Sequence, residues 1–102
     1  MIHVVATITT KPGMRDAVLA EFKANVPAVL AEEGCIEYGA TIDADDAPAS
    51  LPRFGADTYV VVEKWASVDA LNAHAAAPHM KAYGAKVKDM VASRVIHVLR
   101  PA

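Results

Sequence analysis

EKWASVDALNAHAAAPHMKAY, residues 63–83, reads as the end of a strand running into a helix that a proline interrupts. Upstream, TYVVVEKW (Thr58–Trp65) is rich in β-branched and aromatic residues. Alternation puts Tyr59, Val61, Glu63 and Trp65 on one face and Val60 and Val62 on the other. Ser67 is placed to N-cap the helix, with Asp69 and Ala70 in its first turn, and Leu71, His74 and Ala75 follow at helical spacing. Pro78 breaks this helix, which restarts and runs to about Ala92. The single tryptophan stands about two helical turns before His74, with His79 just beyond. Such an arrangement can build an aromatic pocket with a proton-handling group at its rim.

Toward the N-terminus, IHVVATITT (residues 2–10) forms a first strand that Lys11-Pro12-Gly13 ends. Met14 to about Glu33 is helical, with Val18, Phe22, Val26, Val29 and Leu30 recurring at helical spacing. Pro27 predicts a kink or break near Asn25-Val26, and Gly34 fits the C′ position. CIEYGATID (Cys35–Asp43) is a second strand presenting Ile36, Tyr38, Ala40 and Ile42 on one face. Residues 44–57 hold two prolines, a glycine and three aspartates, and read as a long surface loop of the kind that serves as a lid or binding element. RVIHVL (Arg94–Leu99) is the final strand.

The order is β-α-β-loop-β-α-β, with residues 2–43 answering 58–99. It predicts one α+β domain over residues 1–102, a ferredoxin-like split βαβ fold with a four-stranded antiparallel sheet and two helices on one face. In the first strand Ile2, Val4, Ala6 and Ile8 alternate with His3, Val5, Thr7 and Thr9, so neither face is strongly polar. The helices cover one face, and a second subunit's sheet is the natural cover for the other.

The composition agrees with a homodimer. Of 102 residues, 54% are hydrophobic, more than a domain this small can hide from water alone. A net charge of −2 gives no basic field, which excludes nucleic acid and anionic membranes as expected partners. The lone Cys35 excludes an intrachain disulfide framework and fits a reducing compartment. MIHVVATITT has no basic leader, no small-residue cleavage site and too few apolar residues to span a bilayer, so a cytoplasmic location is expected.

Three local patterns resemble the antibiotic biosynthesis monooxygenase family. EEGCIEY (Glu32–Tyr38) resembles its E-x-G-C-x-x-Y helix-to-strand junction. VVEKWASVDALNAH (Val61–His74) resembles its E-x-W and L-x-x-H run, and HAAAPHMKAY (His74–Tyr83) its H-x-x-x-x-H-x-x-x-Y continuation. The resemblance implies a dimeric α+β barrel with a pocket in each subunit between sheet and helices. It also implies oxidation of a small phenolic or quinol-like aromatic by molecular oxygen, without metal, flavin or other cofactor. A haem-degrading branch uses an asparagine on the first strand, which IHVVATITT lacks. A non-enzymatic dimer of the same fold, binding a small ligand or serving a stress response, is the alternative from another class. The 44–57 loop is longer than the connection common in the family.

Each candidate residue carries two readings. An imidazole is the side chain best suited to act as a general base toward a phenol or quinol, which His74 could do, and a helix histidine can equally seal the helix–sheet junction through a backbone carbonyl. His79 lies about 140° around an unbroken helix from His74, which excludes an i,i+4 metal pair. Pro78 can turn His79 back toward the pocket, and a cap is its structural role. Trp65 offers a flat face for an aromatic ligand or simple core bulk. Glu63, on the same face, needs a partner if buried, and a structural ion pair supplies one. Tyr38 and Tyr83 can orient a substrate oxygen or anchor element ends. His3 and His97, read as lying on outer strands, receive no role, and no residues stand at metal-ligand spacing. Glycine-rich phosphate loops and serine-hydrolase motifs are absent.

Overall fold

The computed structural model describes residues 1–102. Its elements are β1 (Ile2–Thr10), α1 (Arg15–Leu30), β2 (Cys35–Thr41), β3 (Thr58–Trp65), α2 (Val68–Ala76), α3 (Pro78–Val87) and β4 (Val91–Leu99). All strands pair antiparallel in one sheet of order β2-β3-β1-β4. β1 is therefore an internal strand, so His3 is not on the sheet's edge. The helices form a second layer on one face, and α2 and α3 are the two halves of the proline-interrupted helix. This is the ferredoxin-like arrangement the sequence predicts.

The core lies between sheet and helices. Ile2, Val4, Ala6 and Ile8 of β1 and Tyr59, Val61, Glu63 and Trp65 of β3 are buried on the helix side, as the period-two pattern demands. Val18, Phe22 and Val29 of α1 pack onto them, while Leu30 is exposed. Ser67 caps α2 as expected, its Oγ accepting from the Ala70 N–H at 3.1 Å.

Several boundaries differ from the sequence reading. α1 runs unbroken through Pro27, which sits on the exposed side, where the Lys23 carbonyl that loses its bond can face water. β2 ends at Thr41, because the Asp43 carboxylate turns away to accept from the Phe54 and Gly55 N–H groups at 3.0 and 2.8 Å. A bulge between Cys35 and Glu37 breaks the β2 alternation, so Tyr38 is buried beside Glu63 while Ile36 is exposed. α3 stops at Val87 rather than near Ala92, since β1 captures the following residues: Lys11 N–H bonds the Met90 carbonyl at 2.9 Å and Thr10 pairs with Val91.

β4 is exposed along almost its whole length on both faces, including Val95, Ile96, Val98 and Leu99. The 42–57 segment is exposed and folds on itself through Arg53, which donates to the Ala44, Asp45 and Ala47 carbonyls. No helix is long and apolar enough to cross a membrane.

Candidate active site

Glu63 sits in the middle of the sheet's interior face, between Val4 on β1 and Tyr38 on β2. Two residues on, still on that face, Trp65 is completely buried and its Nε1–H donates to Glu63 Oε1 at 2.9 Å. Burial pushes the Glu63 carboxyl above the usual carboxylate range; the Trp65 N–H and His74 pull it down, and Glu32 pushes it further up. Cys35 is half-buried opposite Trp65, its thiol raised by burial first and then by Glu32 and Glu63.

His74 stands in the last turn of α2 and is buried against the Trp65 indole, ring centroids 4.6 Å apart. Its Nδ1 meets Glu32 Oε2 at 2.8 Å, and Nε2 of His79, from the first turn of α3, meets the same oxygen at 2.9 Å. Glu32 lies in the turn that follows α1. That turn comes close to α2 because position 34 has no side chain: a Cβ on Gly34 would lie 2.6 Å from the Ala70 Cβ, and φ there is +83°. The Gly34 carbonyl also accepts from the Ala66 N–H at 2.8 Å. The break at Ala77-Pro78 swings His79 back to Glu32. On a continuous helix the two rings would diverge.

With Glu32 as a carboxylate, an acceptor only, each imidazole presents an N–H to it. That assigns the N–H of His74 to Nδ1 and leaves Nε2 as a lone-pair acceptor. Nε2 has no partner in the protein. The only buried side-chain nitrogen or oxygen without one is Arg15 Nε, so His74 Nε2 and Glu63 Oε2 are both open rather than sealed. The two residues border the same cavity of about 500 Å³ between the sheet and α2–α3.

The cavity is mostly apolar. Val4, Ala6 and Val61 form its floor, and Phe22, Tyr38, Tyr59 and Tyr83 its aromatic side. Tyr38 stacks on Phe22 with centroids 5.1 Å apart and sets its ring at 64° to His74. Tyr59 and Tyr83 share a hydroxyl–hydroxyl bond of 3.2 Å. Burial raises all three tyrosines, so each is a neutral hydroxyl near pH 7. Lys81 and Arg94 supply the positive charge on the cavity's border.

Of the residues singled out in the sequence, His74, Glu63, Tyr38 and Tyr83 border this cavity together. Trp65 lies behind its wall, backing Glu63 and His74. His79 faces a separate groove of about 240 Å³ between α1 and α3. The 42–57 loop borders neither space. Sequence reasoning missed Glu32 and Tyr59. Glu32 stands in the E-x-G-C-x-x-Y pattern, and Tyr59 shares its strand face with Glu63, so both carried a signal. No group of three or more His, Cys, Asp or Glu side chains is placed to hold a metal ion; the two histidines meet on one oxygen instead.

Residues 1–86 match the family model for antibiotic biosynthesis monooxygenase. The chain is 43% identical over 103 residues to a protein of Escherichia coli (strain K12) named as probable quinol monooxygenase YgiN, covering 99% of this chain and 98% of that one. Among solved structures it resembles PA3566 from Pseudomonas aeruginosa, at 25% identity and a TM-score of 0.79, over 99% of this chain and 94% of that one. Rv0793 from Mycobacterium tuberculosis is similar at 27% identity and a TM-score of 0.79, over the same shares.

Proposed function

The chain belongs to the antibiotic biosynthesis monooxygenase family, and on that premise we propose that it oxidises a small aromatic, a quinol or polyphenol, with molecular oxygen and no cofactor. The observation that carries this reading is His74: Glu32 meets its Nδ1 at 2.8 Å, its Nε2 has no partner in the protein, and the residue borders an aromatic-lined cavity of about 500 Å³. That volume suits a one- or two-ring ligand.

In this reading His74 Nε2 takes the proton of a ring hydroxyl, which raises the electron density of the ring. One electron passes to oxygen, and the resulting radical pair combines to form a carbon–oxygen bond. Loss of water then leaves a hydroxylated quinone, with one oxygen atom in the product and the other in water. Glu63 Oε2 receives a second substrate hydroxyl, and Tyr38 and Tyr83 orient its oxygens. Trp65 fixes Glu63 and His74 from behind.

The proposal includes a homodimer in the cytoplasm. The uncovered apolar residues of β4 and the lone reduced cysteine support it.

Oxygen uptake by the purified, metal-free protein against a panel of quinols and polyphenols is the test. Uptake should exceed autoxidation, and His74→Ala should lower kcat by about 10²–10⁴-fold while the far-UV CD spectrum is kept. Binding of the panel without uptake would convert the reading to a ligand-binding dimer.

A further inference from the structure

We infer that Glu32 and His79 form a proton path joining the cavity to the solvent in the groove between α1 and α3. The inference deepens the proposed function and rests on it for its role in catalysis.

The geometry is a short chain of three groups. His74 Nδ1 and His79 Nε2 lie 2.8 and 2.9 Å from a single atom, Glu32 Oε2. Side-chain exposure rises from 7% at His74 through 13% at Glu32 to 30% at His79. The inner ring borders the catalytic cavity, and the outer ring borders the α1–α3 groove with Glu21, Asn25 and Lys86. The two spaces both border α3, which lends Tyr83 to each, and the helix break at Pro78 is what brings the outer ring onto the carboxylate.

A proton taken by His74 at Nε2 makes its ring cationic. The Nδ1 proton then passes to the Glu32 carboxylate, which releases the His79 Nε2–H from that bond; the partly exposed ring exchanges through water to its Nδ1–H tautomer, and its Nε2 then takes the proton from Glu32. That ring gives its Nδ1 proton to water. Charge balances at every step and no oxidant is needed. Run in reverse, the path returns a proton when the second oxygen atom leaves as water. Holding His74 does not require His79, since Glu32 bonds His74 directly. The other titratable or charged groups facing the chain are Glu63 on β3, Tyr38 and Cys35 on β2, and the Glu21–Lys86 pair at 3.7 Å beside the outer ring.

His79→Gln and His79→Ala test the path, each checked for folding by near-UV CD. In the ligand-free protein, exchange of the His74 Nδ1–H with water, followed by nitrogen-15 imidazole NMR, should slow by about tenfold or more in either variant. An unchanged exchange rate overturns the path whether or not the protein turns out to be an oxygenase. With a quinol that the wild type oxidises, His79→Ala should lower kcat in dilute buffer, leave KM unchanged and regain rate on adding imidazole. A variant whose kcat is unaffected, or is not restored by imidazole, overturns the catalytic role. Failure of the wild type to consume oxygen strikes the proposed function alone, and the exchange measurement still decides the path.

Discussion

Glu63 is a carboxylate that the sheet buries between Val4 and Tyr38 with only the Trp65 N–H bonded to it. A fold built for stability alone would place an apolar residue here, and a buried carboxyl bordering a cavity is the pattern expected of a functional position. The consequence is measurable as a pH dependence. Burial raises the native carboxyl above its unfolded value, so the native state binds the proton more tightly. Its contribution to stability is full below the ordinary carboxylate range and is lost as pH rises through the raised native value. Glu63→Gln keeps an oxygen for the Trp65 N–H and removes the titration. Urea midpoints of variant and wild type should coincide below about pH 4 and separate in the variant's favour on the way to neutrality. Curves that stay parallel across the whole range would show that the buried carboxyl carries no such cost.

The turn after α1 sets the site at the level of elements, because it delivers Glu32 to two helices at once. Its tolerance is narrow: at Gly34 a methyl group meets the Ala70 Cβ at 2.6 Å, on a backbone with φ +83°. Gly34→Ala should cost about 1–3 kcal/mol, read as a lower urea midpoint with an unchanged m-value. Adding Ala70→Gly should recover the steric part and leave the backbone part. If the second substitution recovers nothing, the approach of α2 to the turn is looser than the geometry states. The same elements show what a sequence discloses. The face of Glu63 and Trp65, the Ser67 cap and the Pro78 break were legible, since each depends on residues a few positions apart. The meeting of His74 and His79 was not, because it needs Glu32, more than 40 residues away, and a helix break whose direction local spacing does not fix. Pro27 misled for a related reason: its cost depends on whether the Lys23 carbonyl finds water, which only the packing of α1 decides. The early start of β4 likewise follows from pairing with β1 rather than from its own residues.

For the whole molecule, the question is what covers β4. Its helix-side residues Ile96 and Arg94 pair across from Ala6 and Ile8 and border the cavity, yet both are exposed. On the other face Val95 and Leu99 pair with Thr7 and His3 and are about half exposed. Exposure on both faces of an apolar edge strand is the pattern that a second copy relieves. Sedimentation velocity at micromolar concentration should therefore give twice the 10.8 kDa chain mass. Val95→Lys and Leu99→Lys should shift it toward the monomer, whereas Leu51→Lys, equally exposed but in the 42–57 loop, should not. Because β4 forms one wall of the cavity, closing the dimer and filling the cavity should reinforce each other. A bound quinol or product analogue should then tighten the dimer, and Val95→Lys should weaken ligand binding although Val95 itself does not border the cavity. Equal ligand affinity in monomer and dimer would mean that each subunit completes its own site, and the second copy would then serve only to bury the strand.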